Sequence, residues 1–115
     1  MTEKANTDLS QICQIISDTV DVEKIFLFGS HAYGTPRADS DYDLCVVIPD
    51  GALRPVEATQ KIYRALYRRQ STPVDVVVYR AGNFERRRQA PTLERKISRE
   101  GVLLHERNEL EQRMD

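Results

Sequence analysis

Apolar residues first recur with helical spacing. Leu9, Ile12, Cys13, Ile16 and Val20 fall at i, i+3, i+4, i+7 and i+11, one stripe of a helix, and Thr7 or Asp8 suits its N-cap. The run Lys24-Ile25-Phe26-Leu27-Phe28 predicts a buried strand that stops at Gly29-Ser30. Asp41 to Ile48 predicts a second strand, ended by Pro49-Asp50-Gly51. Helical spacing returns over Arg54 to Arg69, with Ala58, Ile62, Ala65 and Leu66 on one side, until Ser71-Thr72-Pro73 breaks it. Val74 to Tyr79 is a third strand, rich in valine. Two short helices follow, near Asn83 to Gln89 and Thr92 to Arg99, with Gly101 closing the second. Val102-Leu103-Leu104 predicts a last short strand, and Glu106 to Asp115 a charged tail, frayed or briefly helical. The elements describe an α+β domain over 1–115, with a core from about 8 to 106 and a tail at 107–115.

Alternation along the strands decides where the acids point. Asp41, Asp43, Cys45 and Val47 share one face of the second strand, and Tyr42, Leu44, Val46 and Ile48 share the other. The two carboxylates then lie roughly 7 Å apart along one face. Asp75 opens the third strand in the same way, with Val77 beyond it. A helical crossover normally makes the two strands it joins parallel, which brings Asp75 to the end that holds Asp41 and Asp43. Gly29-Ser30 reaches that end only if the first strand runs antiparallel to the second. A small mixed sheet packed with helices follows.

Carboxylates gathered in this way repel one another and resist ionising unless a cation compensates. An all-oxygen set with no histidine or cysteine beside it points to Mg²⁺, or Mn²⁺, shared with substrate phosphates. Two such ions about 4 Å apart can clamp an in-line phosphoryl or nucleotidyl transfer. Gly29 lets the backbone approach closely, and the following N–H groups and the Ser30 hydroxyl can donate to phosphate oxygens. A short helix beginning at Ser30 would add its positive end. Arg37 is the nearest permanent cation in the connecting loop.

Composition narrows the chemistry further. The chain has 115 residues, 40% hydrophobic and 30% charged, an ordinary globular balance. Its net charge of -1 gives no general attraction to long nucleic acid or membrane, so phosphate binding must be local. Cys13 and Cys45 are read as buried, reduced thiols rather than a disulfide or zinc pair. No signal peptide or membrane-length apolar run is present, and the cytoplasm is the expected location.

Each feature also has a plainer meaning. Gly-Ser alone marks a turn, D-x-D alone a solvent-facing strand edge, and a lone aspartate in a strand a surface position. Their order turns the reading: strand, Gly-Ser, about ten residues, D-x-D, helix, then Asp in a strand. His31 and Tyr33 read as loop packing rather than catalysts. Arg86-Arg87-Arg88 with Arg95, Lys96 and Arg99 reads as a solvated helix face. His105 carries no assigned role.

With these residues in view, the chain resembles the minimal nucleotidyltransferases, the smallest members of the DNA polymerase β-like nucleotidyltransferase superfamily. The likeness rests on Gly29-Ser30, the loop to Ser40, Asp41-Tyr42-Asp43, Asp75 in VDVVVY, and the ending LERKISREGVLLHE. It covers about Leu9 to Glu106. It implies a Mg²⁺-dependent transfer of a nucleoside monophosphate, AMP from ATP, to a hydroxyl, with release of pyrophosphate. It implies that Asp41 and Asp43 hold the metals and that Asp75 completes that set and helps activate the acceptor. Gly29 and Ser30 would hold the triphosphate, with Ser40 and Arg37 as further nucleotide-binding positions. Many similar proteins are antitoxins paired with a helical HEPN ribonuclease toxin, on which they adenylylate a tyrosine. Many relatives carry arginine directly after Gly-Ser or two residues later, where this chain has His31 and Tyr33; Arg37 is the candidate replacement.

The short chain leaves no room for a separate acceptor domain. A HEPN-type partner, or a second copy of the chain, is expected to build the acceptor site. Two alternatives remain open at this level: an antitoxin acting by contact alone, and a stand-alone enzyme acting on a small alcohol or an RNA end.

Overall fold

The computed structural model describes residues 2–34, 36, 40–67, 69 and 72–107. Arg37, Asp39, Arg68 and the tail from 108 to 115 lie outside the described residues. The elements run α1 (Glu3–Thr19), β1 (Lys24–Phe28), α2 (Ser30–Tyr33), β2 (Tyr42–Ile48), α3 (Pro55–Leu66), β3 (Val74–Arg80), α4 (Ala81–Arg87), α5 (Leu93–Glu100) and β4 (Val102–Glu106).

The strands form one mixed sheet in the order β3-β2-β1-β4. β2 and β3 are parallel, joined by α3, and β1 runs antiparallel to both β2 and β4. This is the topology that the crossover argument requires. Alternation sorts the side chains into two layers. Ile25, Leu27, Tyr42, Leu44, Val46, Ile48 and Val76 pack beneath α1 and α3, against Leu9, Ile12, Ile16 and Ile62. Phe26, Cys45 and Val47 face the other way and meet Phe84 of α4 and Ile97 of α5. Each fully buried aliphatic side chain contributes about 1.5–3 kcal/mol, so loss of either layer would unfold the sheet.

Several boundaries depart from the sequence reading. α1 is capped not by Thr7 or Asp8 but by Thr2, whose side chain accepts from the Ala5 N–H at 3.1 Å. Ala5 is buried and carries the apolar stripe one turn earlier, which draws the polar opening residues into the helix. α3 is shorter than Arg54 to Arg69, starting at Pro55, where a missing N–H is harmless, and ending before Tyr67. α4 starts at Ala81, directly after β3, because β3 continues through Arg80 beside Ile48. β4 runs on through Glu106, paired with Lys24 across a bulge at Ile25/Phe26.

Candidate active site

β1 ends where the acids begin. Phe28, its last residue, is the register partner of Asp43. Gly29 follows with φ 77° and ψ -158°, and its carbonyl accepts from Ala32 and Tyr33, both at 3.0 Å, to start α2. Two constraints select glycine. The positive φ disfavours any side chain, and a Cβ would overlap the Asp43 carboxylate, coming within 3.0 Å of its Cγ. The Gly29-Ser30 turn is thus pressed directly onto Asp43.

Asp75 arrives by register. In the parallel β2–β3 pair, Tyr42 lies beside Val74 and Asp43 beside Asp75, with neighbouring strands about 4.8 Å apart. The Tyr42 N–H donates to the Pro73 carbonyl at 3.0 Å and fixes that register at its first rung. Asp41 precedes the first strand residue and is exposed, so it reaches this end from the loop rather than from within β2.

Electrostatics set Asp43 apart. Its carboxyl is held above the ordinary carboxylate value, first by burial, then by the charges of Asp75 and Asp41, with His31 opposing. Among the described residues, no ion pair within 4.0 Å involves Asp41, Asp43 or Asp75. Nor do any three His, Cys, Asp or Glu side chains among them gather into a metal-holding group. A hard divalent ion that takes one or two carboxylates and completes its shell with phosphate oxygens needs fewer protein ligands than such a group.

The loop residues occupy definite places. His31 Nε2 lies 3.1 Å from the Ser40 carbonyl, and its ring sits 4.6 Å from that of Tyr42. That is the packing role its position suggested, and it ties Ser40 to α2. Arg37, the expected loop cation, lies outside the described residues.

Three contacts were hidden in the sequence. The Tyr42 hydroxyl donates to Asp8 of α1 at 2.9 Å, and burial together with Asp8 pushes that phenol up to about 12. Tyr42 lies between the two acids in sequence and points to the opposite face, so this bond anchors the start of β2 to α1. The second contact places Lys96 Nζ 4.9 Å from the Tyr33 ring centroid, joining α5 to α2. The third lies deeper on the same side of the sheet, where Glu94 is buried and accepts from Arg87 Nε at 2.9 Å. Such pairings across the chain leave no periodic trace. A further concavity of about 520 Å³ between α1 and β4, touched by Leu9, Cys13 and His105, lies apart from the acids.

Comparison with known proteins agrees with this geometry. The family model described as "Polymerase beta, Nucleotidyltransferase" matches residues 10–110. A protein from Sulfolobus solfataricus assigned as a nucleotidyltransferase superposes with a TM-score of 0.58 at 21% identity, over 88% of this chain and 82% of its own. A chain of a toxin-antitoxin structure with AMP-PNP gives 0.56 at 24%, over 91% and 78%. A chain from the complex of a tri-AMPylated Shewanella oneidensis HEPN toxin with its MNT antitoxin gives 0.50 at 20%, over 98% and 79%. At these identities the likeness is one of fold. No curated protein sequence matches the chain. Among the described residues, no helix is long and apolar enough to cross a membrane. With the family model spanning the four strands, the Gly-Ser turn and all three acids, the chain belongs to the polymerase beta nucleotidyltransferase family.

Proposed function

We propose that the protein moves AMP from ATP to a hydroxyl of a HEPN-type toxin partner, using Mg²⁺, and so acts as an antitoxin. One observation carries the reading: Asp43 and Asp75 stand abreast on parallel strands, with Gly29-Ser30 pressed against Asp43. The AMP-PNP and AMPylated-toxin descriptions of similar folds support the choice of nucleotide and partner. A cytoplasmic setting fits the two free thiols.

Asp41 and Asp43 would hold the ion, with Asp75 completing the set. Mg²⁺ would supply charge neutralisation on the phosphates. Gly29 and Ser30 bind and orient the triphosphate through backbone N–H groups and a hydroxyl. The acceptor oxygen attacks the α-phosphorus, forming the new O–P bond while the bond to the bridging oxygen breaks. Pyrophosphate departs with that electron pair. Asp75 is exposed and takes the acceptor's proton. The open placement of the acids leaves the acceptor to come from another chain.

The test is transfer of label from α-labelled ATP to the product of the neighbouring gene. Wild type should label it in Mg²⁺, and Asp43→Asn should label it at least about a hundredfold more slowly. Equal labelling by the variant would falsify the mechanism. An acid-substituted protein that fails to label yet still neutralises the partner would show an antitoxin that works by contact alone.

A further inference from the structure

The outer phosphates of a triphosphate are strong anionic acceptors, so a cation from the protein beside the turn that holds them would strengthen binding. Neither residue flanking Ala32 in α2 supplies a permanent one. His31 is engaged with the Ser40 carbonyl and the Tyr42 ring, and Tyr33 is neutral. Yet α2 does not lack a cation, because Lys96 of α5 brings Nζ to 4.9 Å from the Tyr33 ring centroid.

The placement of α5 makes this a fixed arrangement. Ile97, the next residue, is fully buried against Phe26 and Cys45. The helix ends at Gly101, where a Cβ would meet the Leu27 carbonyl at 3.0 Å, so α5 lies tight on β1. Thr92 caps its start by accepting from the Arg95 N–H at 3.2 Å. The Lys96 backbone is therefore rigid while its exposed side chain swings on a long stem. Tyr33, on which that ammonium rests, closes the four-residue helix that begins at Ser30. The Tyr33 N–H donates to the Gly29 carbonyl at 3.0 Å, so the ring that carries the ammonium belongs to the single turn of helix that Gly29 opens. Among the described residues, no ion pair within 4.0 Å uses Lys96, Glu100 included, which leaves the ammonium free to meet an anion.

We propose that Lys96, parked on the Tyr33 ring, is the protein's cation for the outer phosphates of a nucleoside triphosphate. It swings from the ring onto the phosphates when the Gly29-Ser30 turn is occupied. The inference rests on the nucleotidyltransferase reading and deepens it. It makes Lys96 a determinant of triphosphate over monophosphate, supplied by the helix that precedes β4 rather than by the loop after Gly-Ser.

Equilibrium binding of ATP and of AMP, each with Mg²⁺, tests it. Wild type should bind ATP more tightly than AMP. Lys96→Met should weaken ATP about tenfold and leave AMP unchanged, and Lys96→Arg should restore most of the loss. Tyr33→Phe keeps the ring and should bind ATP as wild type does. Lys96 is exposed, so the melting temperature of Lys96→Met should match wild type. Unchanged ATP binding by Lys96→Met overturns the role of Lys96 alone. An equal loss of ATP and AMP affinity overturns it as well. A wild-type protein that binds no ATP overturns this inference and the nucleotidyltransferase reading together.

Discussion

Glu94 and Asp43 lie on the same side of one sheet, and their surroundings drive them in opposite directions. Burial pushes Glu94 up, yet the Arg87 guanidinium, which donates to its Oε1, outweighs it and holds the carboxyl at about 2. Asp43 is less buried, but its neighbours are Asp75 and Asp41, and its carboxyl is raised. The first acid is paired by its own chain through Oε1, while its buried Oε2 has no hydrogen-bond partner among the described residues. The second stands beside two like charges, and no ion pair among the described residues answers it. That contrast is what supports the proposal that the front acids take part in binding.

The comparison can be broken from either end. Gly29→Ala has the largest expected effect on stability. It adds a methyl group where the Asp43 carboxylate stands and forces a side chain to φ 77°. A loss of about 3 kcal/mol is expected in urea unfolding, together with collapse of transfer activity. Wild-type stability in this variant would mean that the turn is not pressed on Asp43.

Glu94→Gln attacks the paired acid. It should cost about 2 kcal/mol, since Glu94 is buried but Arg87 is half exposed and partly screened. The pH dependence gives the sign. Glu94 has a depressed folded value, so its stabilisation is complete above the ordinary 4.5 and disappears as pH falls toward about 2. Unfolding curves for wild type and Glu94→Gln should therefore converge through that window. A gap as wide at pH 3 as at pH 7 would rule the account of Glu94 out.

How much of this was legible beforehand follows from the physics of each contact. Alternation along Tyr42–Ile48 and Val74–Arg80, with one crossover helix between them, was enough to put Asp43 beside Asp75. The Gly-Ser spacing marked the turn, and only a strand-to-strand register could press it on Asp43. Asp41 fell just outside the strand to which alternation assigned it, because β2 begins where Tyr42 pairs with Pro73 and Val74. The Arg87–Glu94 bridge spans a chain reversal between two helices, and Lys96 meets Tyr33 from the far end of the sequence. Composition made both look like one solvated basic face. Capping by Thr2 was missed because the polar opening residues hide a single buried alanine.

The smallest expected effect bears most directly on the central claim, that the front acids destabilise the empty fold and hold a metal-bound triphosphate. Asp43 has a raised folded value, so its contribution is complete below the ordinary 3.8 and is lost as pH rises through that folded value. At neutral pH, Asp43→Asn should then melt at or slightly above wild type in the absence of ligand. With saturating Mg²⁺ and ATP the order should reverse, because only wild type binds the pair tightly. Melting both proteins under both conditions gives the answer. Reversal is the predicted result, and an equal rise in both proteins, or none in either, would contradict it.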